Sequence, residues 1–331
     1  MKLRRRHFLH LAAGAAAFPA VSRIAWAQTY PSRPITMIVP FPAGGGTDVS
    51  ARIVSEHMSR TLGQPIVIEN IVGAGGTTGS TRAMRSNPDG YTIQMGQMGT
   101  HATAVALYPN LAYNPDIDFA PIGLVNLNPV MIVARKDFPP RDFKEFALYV
   151  KANAQKLNMA HAGIGSIGFS CGLLLNSILG VKPTMVPFNG VAQATNALIG
   201  GQVDYMCDGG ANNSVSHAQS GAVKAYAFEA ERRSQILPDV PTAKEAGLPE
   251  FQVLAWFALF APKATPKPIL DELTNALDKA LDDQNVRKRF FDLTSEIPDK
   301  ASRGQQPLAA LVKSDIARWT QIYQRLGAPG G

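Results

Sequence analysis

The chemistry this chain offers is concentrated in its glycine turns. Ala43-Gly44-Gly45-Gly46, Gly73-Ala74-Gly75-Gly76 and Gly163-Ile164-Gly165-Ser166 each follow an apolar strand pattern and open a helical one, as does Phe188-Asn189-Gly190. A helix start leaves four backbone N–H groups without intrahelical acceptors, and the helix dipole adds partial positive charge there. Such ends hold carboxylate, phosphate or sulfate without arginine. Turns of this kind recur in both halves of the chain, so two of them facing each other could hold a dicarboxylate by both ends.

Enzymatic readings fit the same residues less well. Gly73-x-Gly75 with Gly79 follows a strand as a dinucleotide fingerprint should, but the last glycine is one place late. The acidic residue needed about 20 positions on is missing from Tyr91-Thr-Ile-Gln94. Ile164-Gly165-Ser166-Ile167-Gly168 lacks the first glycine of a serine-hydrolase elbow, so Ser166 reads as a helix cap or a ligand contact. His57, His101, His161 and His217 form no metal-binding spacing. Three of them read as helix-face or packing residues, whereas His101, after the strand-end Gly99, is a pocket candidate. Asp48 and Arg52 stand at i,i+4 and read as a cap with a helix salt bridge. No metal, organic cofactor or turnover is expected.

These turns need strands and helices to aim them. Ile35–Pro40, Ile66–Asn70 and Tyr91–Met95 are predicted strands, and a helix runs from Thr47 or Asp48 to Leu62, closed by Gly63. The alternation returns with strands at 157–162, 183–187 and 203–207 and helices at 168–179 and 191–199. This is an α/β pattern with largely parallel sheets flanked by helices. Val253–Ala261 reads as a buried strand. Beyond it, Ile269, Leu273, Leu277 and Leu281 mark one amphipathic helix, and Leu308 through Leu326 another.

The first 27 residues read as an export leader. Arg4-Arg5-Arg6 precedes an apolar run and an Ala25-Trp26-Ala27 cleavage site, and Arg5-Arg6-His7-Phe8-Leu9 resembles a twin-arginine signal. The formal charge of +7 shrinks accordingly, because five of the 32 basic residues lie in the leader. The remaining 27 against 25 acidic residues give no basic surface for nucleic acid. The exported 304 residues exceed one ordinary core and point to two domains. Cys171 and Cys207 are either one disulfide or two buried thiols.

The turns also carry a family resemblance. Pro34-Ile-Thr-Met-Ile-Val-Pro-Phe-Pro-Ala-Gly-Gly-Gly-Thr-Asp48 with Ala51-Arg52 resembles the opening of the tripartite tricarboxylate transporter substrate-binding (Bug, or TctC) family. Gly63-Gln-Pro-Ile-Val-Ile-Glu-Asn70, Pro88-Asp-Gly-Tyr-Thr92, Gly163-x-Gly-Ser166, Gly200-Gly-Gln-Val-Asp204 and Pro238-Asp-Val-Pro-Thr242 follow in the family's order. The resemblance spans the exported chain. It implies a two-lobed type II periplasmic-binding-protein fold that closes on its ligand. One lobe is then expected over 28–130 and 255–331, and the other over 131–254, with hinge strands near Pro129–Val133 and Trp256. It further implies a monomeric periplasmic receptor that delivers a small organic carboxylate to large and small integral-membrane transporter subunits. The ligand contacts it implies are Phe41, Ala43, Gly44, Gly45, Thr47, Asp48, Ala74 and Gly75 from the first lobe, and Gly165, Ser166, Asn189 and Asp208 from the second.

Two departures bear on the ligand. Phe169 stands where the family commonly has His, and Phe188-Asn189-Gly190 replaces Tyr-Lys-Gly. Fewer polar and basic groups favour a mono- or dicarboxylate, including an aromatic one, over a tricarboxylate. The rival readings are a sensor docking on a signalling partner and an NAD(P)-dependent oxidoreductase.

Overall fold

The structure, a computed structural model, describes residues 30–210 and 213–327. The expected leader, its twin-arginine motif and its cleavage site lie outside the described residues.

Two five-stranded sheets organise the chain into two lobes. The first lobe begins with β1 (Ile35–Val39), α1 (Gly46–Leu62), β2 (Ile66–Asn70), α2 (Thr77–Met84), β3 (Thr92–Gln97), α3 (Ala104–Leu107) and β4 (Phe119–Asn128). The second contains β5 (Val130–Arg135), α4 (Phe143–Asn153), β6 (Asn158–His161), α5 (Ile167–Leu179), β7 (Thr184–Pro187), α6 (Val191–Ile199), β8 (Tyr205–Asp208), α7 (Val215–Gln219) and β9 (Val223–Glu229). β10 (Ala255–Pro262), α8 (Lys267–Asp282), α9 (Gln284–Asp292) and α10 (Gln305–Leu326) complete the chain.

Strand order is β2-β1-β3-β10-β4 in the first sheet and β7-β6-β8-β5-β9 in the second. β1 pairs parallel with β2 and β3, and β6 parallel with β7 and β8. These are the strands whose α/β alternation is visible in the sequence. The other half of each sheet is antiparallel, through β10 in the first and β5 in the second. The reason is topological. β5 enters its sheet just after the chain crosses at Pro129, and β10 enters the first sheet after the return crossing over residues 230–254.

The helices follow their sequence signals. α1 ends at Gly63, whose φ of 69° is the left-handed conformation a helix stop requires. α8 buries Leu270, Leu273, Leu277 and Leu281 along one face. α10 buries Trp319 and Tyr323, and its Asp315 accepts a 2.7 Å hydrogen bond from Trp256 Nε1 of β10. Tyr323 also donates to Ser170 of α5 at 2.6 Å, so the last helix touches both lobes. Cys171 on α5 and Cys207 on β8 are free, buried thiols, and burial pushes both thiol pKa values up.

Candidate ligand-binding cleft

A cavity of about 80 Å³ lies where loops of the two lobes meet. From the first lobe it is lined by the β1–α1 turn (Phe41, Pro42, Ala43, Gly45, Gly46, Thr47), by Gln97 at the end of β3 and by Phe257 of β10. From the second come Ser166 to Gly168 at the start of α5, Asn189 to Ala192 at the start of α6, and Met206 to Gly210 at the end of β8. Three helix N-termini thus converge on one space.

The capping chemistry leaves those N-termini open. Gly45, the N-cap of α1, has no side chain to accept from the helix amides, and the N-cap of α6 is Gly190. Ser166 caps α5 by accepting from Phe169 N at 3.2 Å, while its hydroxyl donates to Gly163 O at 2.7 Å. The first amides of α1, α5 and α6 remain available to an anion. No Lys, Arg or His lines the cavity among the described residues. Negative charge placed here meets backbone dipoles rather than guanidinium.

Among the described residues, Asp208 is the one carboxylate in the lining. It is fully buried, and burial raises its pKa to about 6 against the hydrogen bonds of Ser214, Gly210 and Asn213. A proton binds more tightly to the folded state, so stability falls as pH rises from about 4 through about 6. The ionised folded state then carries a cost of about 3 kcal/mol. Asp208→Asn is therefore expected to raise the unfolding midpoint at pH 8 and to change it little at pH 4. Thermal denaturation of the ligand-free protein at both pH values checks this, and an equal shift at both would contradict it.

The turn that carries Phe41 to Thr47 is braced from behind. Asp48 accepts from Gly44 N at 2.9 Å, from Arg52 Nε at 2.8 Å and Nη2 at 3.0 Å, and from Asn70 Nδ2 at 2.9 Å. Burial opposes its ionisation, but the hydrogen bonds from Arg52, Gly44 and Asn70 hold its pKa below the usual carboxylate value. Its acceptor sites are filled. Asp48 and Gly44 therefore brace the turn and do not line the cavity, which corrects their expected ligand contact.

His101 is a further correction. β3 runs into a π-helical turn, Gly99–Thr103, that folds His101 into the core, where it is fully buried. Its ring stacks on Phe260 at 3.8 Å between centroids and meets Phe119 edge-on at 4.7 Å. Burial lowers its pKa to about 3, so it is a neutral packing residue and not part of the cleft.

Phe41, Ala43, Gly45, Thr47, Ser166, Asn189 and Asp208 are the expected residues that the structure brings together around the cavity. Ala74 and Gly75 line an adjoining groove with Phe41, Tyr108, Ile164 and Asn189. Gly165 lines neither, and a Cβ on it would stand 3.3 Å from Gly75 O across the cleft. Tyr108 donates to Ile164 O at 2.8 Å, which joins the lobes directly. Gln97, Phe257, Tyr108 and Asn213 have no turn signature and were not foreseeable as cleft residues. The strand β3 and the buried run of β10 were legible, but not the way they face.

The sequence profile described as tripartite tricarboxylate transporter family receptor matches residues 50–328. The UPF0065 protein in the TAR-I ttuE-ttuC' intergenic region of Agrobacterium vitis is 41% identical over 305 residues, covering 92% of this chain and 88% of that protein. Among solved structures, MatC from Rhodopseudomonas palustris with bound malate is 50% identical, with a TM-score of 0.85 over 88% of this chain and 99% of that one. The periplasmic binding protein BugD is 44% identical, with a TM-score of 0.86 over 90% and 99%.

Proposed function

The chain belongs to the tripartite tricarboxylate transporter receptor family, whose members are solute-binding receptors, and from that premise we propose that it captures a short dicarboxylate between its lobes without transforming it. The observation that carries this reading is the convergence of α1 from one lobe with α5 and α6 from the other on a cavity that no basic side chain lines among the described residues. One carboxylate would sit on the amides of α1 and the other on those of α5 or α6. Contact by Ala43, Gly45, Thr47, Ser166 and Asn189 belongs to this reading. The small cavity and the Phe41 and Phe257 rings favour a short chain over an aromatic acid or a tricarboxylate. Residues 28–130 with 255–331 would close against 131–254 as a hinge, with the liganded monomer handed to large and small membrane subunits. Ligand binding of the related MatC, which holds malate, supports the class.

The test is thermal unfolding of the protein lacking residues 1–27, refolded from denaturant to remove carried ligand, against mono-, di- and tricarboxylates. A ligand at 100 times its Kd stabilises by about 2.7 kcal/mol. In a chain of this size the midpoint should rise by at least about 2–4 °C. Short dicarboxylates are expected to give the largest shift. A flat response across the panel would sink the carboxylate assignment.

A further inference from the structure

The last helix of the chain reaches into the lobe to which it does not belong. α10 packs on β4, on α3 and on the π-helical turn Gly99–Thr103, all of the first lobe, and its Asp315 is tied to Trp256 of β10. Tyr323, near its end, donates at 2.6 Å to Ser170 of α5 in the second lobe. Both residues are 0% exposed, so the bond lies inside the contact between lobes, shielded from water. The covalent crossings lie elsewhere, at Pro129 and over residues 230–254.

Ser170 passes this contact on to the end of α5 that faces the cavity. Its hydroxyl donates to Ser166 O at 3.3 Å, and Ser166 is the N-cap whose own hydroxyl accepts from Phe169 N. Ser166, Ile167 and Gly168 line the cavity. Two hydrogen bonds in series therefore join Tyr323 to the first turn of α5, the turn whose amides are open to an anion. The first lobe meets the residues just before that turn as well. Tyr108 donates to Ile164 O, and a Cβ on Gly99 would stand 2.2 Å from Gly165 O.

Parting the lobes would not strand either hydroxyl. The Thr103 side chain, on the first lobe, is a close neighbour of the Tyr323 oxygen, and Ser170 keeps its bond to Ser166 O within α5. The Tyr323–Ser170 bond thus adds stability to the closed arrangement and not to the open one. A buried hydrogen bond between uncharged groups is worth about two- to tenfold in such an equilibrium.

Resting on the receptor reading above, we propose that Tyr323 is a positioning residue for the ligand, holding the amide-bearing end of α5 against the first lobe through Ser170 and slowing release.

The test uses malate and succinate as probes of the ligand-stripped protein lacking residues 1–27, in native, Tyr323→Phe, Ser170→Ala and doubly substituted forms. Calorimetry gives affinity. Stopped-flow tryptophan emission gives release, since Trp319 lies one turn before Tyr323 with ring centroids 5.7 Å apart. Each single substitution is expected to weaken binding about three- to tenfold. Release should quicken by the same factor, with association unchanged within about twofold. The double substitution should lose no more than the larger single loss, because one bond cannot be removed twice. Unfolding midpoints of the ligand-free forms should stay close together. A lowered midpoint with native affinity and release would overturn the proposal, by making the bond a structural one. Additive losses would overturn it too, by showing that the two hydroxyls act separately. Hydroxyl-radical footprinting of the native protein needs no variant: Tyr323 should be modified without ligand and protected by malate. Equal modification in both states would show that the contact does not depend on closure, and would refute the assignment. Binding of neither acid would remove the dicarboxylate reading and this role with it, an outcome distinct from tight binding that the substitutions leave unmoved.

Discussion

Gly45→Asp is expected to lose ligand affinity on the order of 100-fold, about 2.7 kcal/mol, while the protein folds as well as before. Gly45 is the N-cap of α1, with φ −77° and ψ 165°, an extended conformation that any residue adopts. A Cβ there would lie 3.4 Å from Pro42 O and 3.7 Å from Val191 Cγ1, so there is room for it. An aspartate at an N-cap accepts from the second or third helix amide. The new carboxylate would therefore occupy the donors assigned to the ligand and repel a second anion. The same contact strengthens the helix by a few tenths of a kcal/mol relative to glycine. Stability and affinity should thus move in opposite directions, which misfolding cannot imitate. Gly45→Asn separates the causes, because it occupies an amide without adding charge and should lose less. Calorimetry with the best ligand of the panel, beside a melting curve, provides the measurement. Native affinity in a folded Gly45→Asp protein would show that α1 does not hold the anion.

Gly75→Ala is expected to cost a further large factor, tenfold or more, by a different route. A Cβ on Gly75 would stand 2.0 Å from Ile164 O and 2.5 Å from the Tyr108 hydroxyl, both far inside contact distance. Ile164 belongs to the second lobe, so the added methyl is a wedge between the lobes as well as a clash with Tyr108 of its own lobe. The clash with Ile164 falls on the closed arrangement, and a ligand that needs both lobes loses affinity by the fraction closed. Gly75 also has φ 63°, where alanine is strained by roughly 1–2 kcal/mol. Gly63→Ala controls for that strain, since Gly63 has φ 69° with open space around it and lies away from the cleft. It should destabilise the protein without weakening binding. Small-angle scattering of Gly75→Ala with saturating ligand should report a larger radius of gyration than the native complex. Native affinity with a native radius would mean that the lobes need not approach this closely.

How far these positions could be read from sequence depended on the range of the interactions that fix them. The helix from Gly46 to Leu62 carried its own stop in Gly63, and the glycine turns announced helix starts through local composition. The Asp48–Arg52 pair was visible at i,i+4, but the Gly44 amide and Asn70, 22 residues away, which use up the rest of that carboxylate, were not. His101 misled because a glycine after a strand does not reveal a π-helical turn. Its inward direction is set by Phe119 and Phe260, which come from strands far along the chain. The antiparallel half of each sheet escaped for the same reason. Where β5 and β10 insert is decided by the two crossings between lobes, and no local pattern encodes their partners. Tyr108, reaching Ile164 across 56 residues, is the extreme case.

The division of the cavity's donors between lobes has a kinetic consequence. α1 belongs to one lobe, and α5 and α6 to the other, so parting the lobes would split a single site into two half-sites facing water. Each half keeps only weak dipolar contacts, roughly 0.3–1 kcal/mol apiece where solvent enters. On the proposed reading, residence time would be set by how often the lobes part, not by the strength of any one bond. A membrane partner that spreads Tyr108 from Ile164 would discharge the cargo without competing for a single ligand atom.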